Sequence, residues 1–225
     1  MNGQFMLQYA PMYIHAAGLT LRIATVGVLL SLALGAVCSL IRYYKVPVLY
    51  HFVGAYIQFA RNTPLLVQLF FLYFGLPRIG IRLSSESCAI IGLSFLGAAY
   101  MAESFRSGLE AVDLSQKEGG ACVGLSTGQN MRYVIFPQAL ATAIPAVCAN
   151  VIFLIKETSV LSAVALADLM YVAKDLIGMY YKTDEALVML VISYLGLLLP
   201  ISLVFSLIER RLRYAGFGDR STAQG

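Results

Sequence analysis

Charge is scarce in this 225-residue sequence: Asp, Glu, Lys and Arg together make up 12% of it, where soluble domains run near about 25%. No Gly-Lys pair occurs anywhere, so the chain carries no phosphate-cradling G-x-x-x-x-G-K-[ST] loop. Histidine is limited to His15 and His51, and the four cysteines (Cys38, Cys88, Cys122, Cys148) lie 26 to 50 residues apart. With no C-x-x-C and no Cys/His cluster, a disulfide framework and a metal site are both excluded, and the cysteines read as small apolar packers. No Ser/His or metal-ligand spacing is left to equip a membrane-embedded enzyme. The first 14 residues lack Lys and Arg, so no cleavable signal peptide is expected, and the first apolar segment should stay in place. The net charge of +4 is modest. The basic residues form no stripe of the kind that grips nucleic acid.

What the chain has instead is apolar length. Hydrophobic residues make up 59% and the mean hydropathy is +0.76, more apolar surface than a soluble fold of this size can hide. Five stretches reach the roughly 20 residues needed to cross a bilayer: 19–41, 52–76, 88–109, 139–167 and 186–208. The expectation is therefore a single all-α, polytopic membrane domain over residues 1–225 with about five transmembrane helices. Basic residues decide its orientation. Arg42, Lys45, Arg106, Lys117, Arg132, Arg210, Arg211, Arg213 and Arg220 fall on one side, and Arg78, Arg82, Lys174 and Lys182 on the other. The positive-inside rule then places the N-terminus outside and the C-terminus in the cytoplasm. Gly27, Ser31 and Gly35 form a small-xxx-small seam on the first helix, which lets another helix approach closely.

The connection between the third and fourth spans, residues 112–138, is long for a chain whose other loops are short, and loops of that length are usually functional. Two short helices are predicted in it. Gly124 can supply the left-handed stop of the first. Ser126 with Gln129 fits a capping box for the second, and Pro137 is expected to end that helix at the membrane.

This segment resembles the EAA loop of ABC importer permeases. Glu118, Gly124 and Pro137 hold its Glu, Gly and Pro places, Val134 and Phe136 stand at its Ile and Leu places, and Gly119 and Gly120 replace its two alanines. Three further stretches are similar to the polar-amino-acid branch of that family: Arg61-Asn62-Thr63-Pro64-Leu65-Leu66-Val67-Gln68, Ala99-Tyr100-Met101-Ala102-Glu103 and Lys156-Glu157-Thr158-Ser159. The similarity runs over roughly residues 15 to 210.

Ionisable groups inside a bilayer are costly and therefore functional candidates. Arg61 and the Lys156-Glu157 pair lie deepest. Entering from Phe52, Pro64 is about 18 Å in, and Glu157 is about 20 Å in from Ile144, at 1.5 Å per residue. Pro64 interrupts the helical ladder and frees the Ala60 carbonyl. The half-helix after it would aim the N–H groups of Leu65 and Leu66 at an anion. Asn62, Thr63 and Leu65 are thus candidates for an α-carboxylate, and Glu157 for an α-ammonium, gripping a zwitterion whatever its side chain. Arg61 reads either as part of that site or as a structural ion-pair partner of Glu157 or another carboxylate. Pro64 reads also as a packing kink. Lys156 points away and snorkels or meets a second subunit, Glu103 reads as architectural, and Tyr9, Tyr13, Tyr180 and Tyr181 as an outer aromatic belt.

The resemblance adds Ser159 to the substrate-contact set and assigns Glu118, Gly119, Gly120, Gly124 and Leu125 to coupling with an ATPase. It implies a permease of the bacterial cytoplasmic (inner) membrane that imports polar amino acids. Its partners would be an ATP-binding cassette subunit, a second permease copy or related chain, an extracytoplasmic solute-binding protein, and lipid. No cofactor is expected in this chain, ATP and magnesium belonging to the partner. The rival is a secondary transporter driven by an ion gradient, which predicts inverted repeats and more intramembrane carboxylates than this sequence shows.

Overall fold

The computed structural model describes residues 2–212, and among them the chain is helical with no strand. Arg213 and Arg220, part of the basic tail, lie outside the described residues. Helix α1 runs Gly3–Tyr43, starting where the Asn2 side chain accepts from the N–H groups of Gln4 and Phe5. It therefore begins at Gly3 rather than near Leu19, and Pro11 sits inside it without ending it. At 41 residues it measures about 61 Å, roughly twice the hydrocarbon thickness of a bilayer.

The second stretch is two helices rather than one. Helix α2 spans Leu49–Asn62, and α3, Leu65–Phe70, continues through a π-turn at Phe71–Gly75 and a 3₁₀ turn at Leu76–Ile79. Helix α4 is Ser85–Glu110, capped by the Ser84 hydroxyl. Two short helices follow, α5 at Leu114–Cys122 and α6 at Thr127–Asn130. A π-turn at Met131–Ile135 joins α6 to α7, Phe136–Glu157, and a 3₁₀ turn covers Thr158–Val164. Helix α8, Leu169–Tyr180, falls in a stretch for which the sequence predicts no element, and α9 spans Thr183–Leu212.

Pro137 does not end the helix before it. The π-turn widens the ladder just ahead of the ring, Phe136 N–H bonding back to Met131, and the helix passes through into α7.

Four helical runs are long and apolar enough to cross a membrane: 3–43, 85–110, 127–164 and 183–211. A shorter apolar run, Leu65–Ile79, joins them in the bundle. Gly27 lies against Leu93, Ser31 against Gly97 and Gly35 against Met101, so α1 and α4 run in the same direction. The stretch 49–79 must therefore return between them, and it does so antiparallel to α4: Ala60 clusters with Ala99 and Ala102, and Leu69 lies against Gly92. Helix α7 is antiparallel to α4 as well, with Gly108 against Ala139 and Ala143, Asn150 bonded to Ser104 at 2.8 Å, and Phe153 beside Tyr100. Helix α9 follows α1, from the Tyr13–Ala186 contact to a groove that Leu21, Thr25 and Leu29 share with Pro200 and Val204. Helices α1 and α9 therefore point the same way within the bundle.

Two cores result. The larger joins α1, α3, α4, the end of α7 and the 158–164 turn through Ile23, Leu65, Leu69, Leu93, Leu154 and Leu161. The smaller packs the first half of α1 against α8 and the start of α9 through Tyr13, Ala16, Leu169, Leu176 and Leu190. Tyr13 accordingly is not a belt residue: it is buried and its hydroxyl donates to the Ala186 carbonyl at 2.8 Å. Tyr9 and Tyr180 stack at 5.2 Å, and Tyr181 is exposed. Cys88 and Cys148 are buried packers, whereas Cys122 is exposed on α5.

Candidate functional site

Two chain irregularities meet in the larger core. One is the break at Pro64. Thr63 is extended, as a residue before proline tends to be, and α2 stops at Asn62. The Asn62 amide donates to the Gln58 carbonyl at 2.7 Å and the Thr63 hydroxyl to the Phe59 carbonyl at 2.8 Å. Both side-chain donors thus close the end of α2 itself. The Gln68 amide reaches back from α3 to the carbonyls of Ala60, at 3.1 Å, and Thr63, at 3.0 Å. The carbonyl freed by the proline is therefore satisfied from within the chain. On the other side of the break, Val67 and Gln68 donate to the Pro64 carbonyl. Leu65 and Leu66, in the first turn of the 65–79 run, precede any helical acceptor. The Leu65 side chain is buried, while Asn62 and Pro64 are exposed on the single chain.

The second irregularity is the end of α7 at Glu157. The Thr158 hydroxyl folds back onto the Ile155 carbonyl at 2.6 Å, and the chain tightens into the 158–164 turn before the left-handed Ala165. Glu157 is half-buried, and among the described residues no cation stands within ion-pair distance of it. Ser159 beside it is half-buried, its carbonyl facing the Ser162 hydroxyl at 3.4 Å. Lys156 is exposed. Leu65 and Leu69 share one packed cluster with Leu154, Leu161 and Val164, so the helix break and the end of α7 stand at one level.

Arg61 does not join Glu157. Its Nη1 stands 3.7 Å from Glu103 Oε2, and its guanidinium lies over the Tyr100 ring at 5.3 Å. Glu103 is held in turn by Arg106, through Nη2 at 2.8 Å and Nε at 3.3 Å, and Arg106 reaches Glu110 at 2.6 Å.

The 112–138 segment is a second candidate. Helix α5 ends in a full Schellman arrangement: Gly124 has φ 83, its N–H donates to Ala121 O at 3.0 Å, and Leu125 N–H donates to Gly120 O at 3.1 Å. The capping box also forms, with Ser126 Oγ accepting from Gln129 N–H and Gln129 Oε1 from Ser126 N–H. Gly120 presses on the Asn130 side chain with no room for a Cβ, while Gly119 has none of its neighbours within 4 Å of that position. Glu118 and Gly119 face solvent, flanked by Leu114 and Val123, which are 71% and 76% exposed. Both apolar side chains are therefore bare at the two ends of this short helix.

The sequence reading missed Gln68. Its signal was a buried-face amide four residues after Pro64, on the same side as the freed carbonyl. It missed Asp168 as well, a fully buried carboxylate whose Oδ1 caps α8 by accepting from Tyr171 N–H at 2.8 Å.

Residues 27–214 match the family described as binding-protein-dependent transport system inner membrane component. The chain is 38% identical over 214 residues to the probable amino-acid ABC transporter permease protein PatM of Vibrio harveyi, covering 94% of this chain and 96% of that one. It is 31% identical over 204 residues to the arginine transport system permease protein ArtQ of Bacillus subtilis, covering 90% and 93%. A solved structure of an amino acid ABC transporter with histidines superposes with a TM-score of 0.88 at 30% identity, covering 94% of this chain and 99% of that one.

Proposed function

This chain belongs to the family of binding-protein-dependent transport system inner membrane components and is a multi-pass protein of the bacterial inner membrane, and from that premise we propose that it forms the permease subunit of an ATP-driven importer of polar amino acids. Relatives matched over nearly their whole length are named as amino-acid permeases, and the fold is that of an amino acid ABC transporter. The N-terminus lies outside and the C-terminus in the cytoplasm, as the basic residues of the loops favour.

The observation that carries the substrate assignment is the meeting of the Pro64 break with Glu157, which has no ion-pair partner among the described residues. The N–H groups of Leu65 and Leu66, with the positive end of the half-helix behind them, take the α-carboxylate, and Asn62 and Thr63 shape the rim of the break. Glu157 takes the α-ammonium as a charge-assisted hydrogen bond, with Ser159 beside it. Arg61 closes the site on the side of Tyr100. That no cation among the described residues stands beside Glu157 supports this reading, since a carboxylate already neutralised by Arg61 would have little left for a ligand cation. The 114–135 segment docks an ATP-binding cassette subunit through Glu118, Gly119, Gly120 and Leu125 and the exposed Leu114 and Val123, with Gly124 holding its turn. ATP and magnesium are bound there, on the partner. A second permease copy or a related chain completes the pathway, and a solute-binding protein delivers substrate.

Reconstitution with the ATPase and solute-binding partners in vesicles tests the assignment. Uptake of labelled amino acids should require ATP and be blocked by vanadate, whereas a gradient-driven carrier would ignore both. Replacing Glu157→Gln should cut uptake by about tenfold or more, the cost of losing one charge-assisted contact. Unaltered uptake by that variant would refute the role given to Glu157.

A further inference from the structure

Two arginines from two helices converge on one carboxylate. Arg106 grips Glu103 from the same helix through two nitrogens, and Arg61 approaches it from α2 at 3.7 Å. Arg42, at the end of α1, is held over the Tyr50 ring at 4.4 Å and stands within electrostatic range of the same group. Gly54 leaves the space that the Arg42 guanidinium occupies. An ion pair that served only to stiffen α4 would be complete with Arg106 and Glu110, the latter bonded at 2.6 Å. Arg61 is the extra party, and it sits one residue before Asn62, at the broken helix. Glu110, at the other end of the chain of charges, is the last residue of α4. Only Ala111, Val112 and Asp113 separate it from α5. An unbroken series of charged contacts therefore links the helix break to the start of the docking segment.

We propose that Glu103 is a positioning residue for transport, sharing its carboxylate between Arg61 and Arg106 so that the place of the broken helix and the place of the 111–126 segment are set together. The tight arm to Arg106 keeps Glu103 registered with the docking segment, and the longer arm to Arg61 can close or open as α2 moves. Coupling of this kind needs an element with two discrete arrangements, and a carboxylate with one tight and one slack guanidinium supplies it. Removing the charge leaves Arg61 without an ion-pair partner among the described residues, and Arg61 is then free to leave.

The inference rests on the importer reading, and one experiment separates the two. The complete transporter, with ATPase and solute-binding partners, is placed in vesicles and given a mixture of the common radiolabelled amino acids. ATP hydrolysis and uptake are read from the same sample. The E103Q variant should keep hydrolysing ATP while uptake per ATP falls roughly tenfold, a typical coupling effect, and E103D, which retracts the carboxylate by one methylene, should recover part of that ratio. An unchanged ratio in E103Q, or hydrolysis and uptake falling in step, overturns the inference. Where E103Q fails to assemble, an unchanged ratio in E103D overturns it equally, and a lowered one supports it. Absence of ATP-driven uptake by the native chain would sink the importer reading and this inference together.

Discussion

The side-chain amide of Gln68 donates to the carbonyl of Ala60 across the break made by Pro64, at 3.1 Å, and to the carbonyl of Thr63 at 3.0 Å. A proline inside a helix strands the carbonyl four residues before it, and away from water a stranded carbonyl is costly. Gln68 answers that cost from within the chain, on the carbonyl side of the break.

Replacing Gln68→Leu keeps the volume and removes both bonds. Two backbone carbonyls lose their donor, so the variant should be less stable by about 1–3 kcal/mol. Thermal unfolding of the purified protein in detergent reads this directly. A midpoint unchanged from the native protein would show that the amide is not what holds the break together.

The seam between α1 and α4 allows no added carbon. A Cβ on Gly97 would run into Ser31 and meet Leu154 Cδ1 at 2.7 Å, and one on Gly35 would lie 2.5 Å from Met101 Cβ and 3.0 Å from the Ala102 nitrogen. Gly97→Ala and Gly35→Ala should each cost about 1–3 kcal/mol by forcing the helices apart. Gly18→Ala on the same helix α1 meets nothing within 4 Å and should be neutral or slightly stabilising. Yield and unfolding midpoint of the three variants side by side give the answer. Equal behaviour of all three would mean that the seam is not close-packed.

The paired glycines of α5, Gly119 and Gly120, should behave differently from each other. Gly119 sits in α5 with open space at its missing Cβ, so Gly119→Ala should firm the helix by up to about 1 kcal/mol. Gly120→Ala drives a methyl into the buried Asn130 and should displace α6 from α5. Retention of the ATPase partner on an affinity column through the permease should survive the first change and weaken with the second. Equal retention would remove Gly120 from the set of residues shaping the surface.

Much of this architecture is readable in one dimension because a bilayer simplifies the problem. Runs of apolar residues at 88–109 and 186–208 become α4 and α9, since spanning backbone must be helical. The Ser126–Gln129 box and the Gly124 stop act within a few residues and are therefore legible. Pro137 misleads because a π-turn, which leaves no composition signal, absorbs it. The first helix starts early because its extra turns find a partner in α8, an element whose apolar face makes sense only once α1 and α9 are beside it. Of the candidate site, Pro64 and Glu157 are visible as oddities in an apolar background. The choice of Arg61 between Glu157 and Glu103 is not visible, because it depends on how α2 crosses α4.

Asp168 offers a test of the core between α1, α8 and α9 that needs no transport. It lies in the turn before α8, outside the spanning runs, and is fully buried. Its Oδ1 caps the helix by accepting from Tyr171 N–H, and its Oδ2 has no hydrogen-bond partner among the described residues. Burial pushes its carboxyl up to about 7, against the pull of the Tyr171 N–H in the other direction. The sign follows from which state holds the proton. Below about pH 4 the carboxyl is protonated whether the chain is folded or not, and stability is at its full value. Between about 4 and 7 the unfolded chain loses the proton while the folded chain keeps it, so stability declines as pH rises, by on the order of 4 kcal/mol across the window. Above about 7 both forms are ionised and the decline stops. Asp168→Asn retains an oxygen for the cap, asparagine being as good there as aspartate, and removes the titration. Unfolding midpoints of the native protein and of this variant should therefore differ little at pH 4, with the variant gaining steadily up to pH 7 and the gap constant beyond. A gap that does not change with pH would place the Asp168 carboxyl in contact with water or with an opposite charge, and the tight closure of α8 over α1 would have to be redrawn.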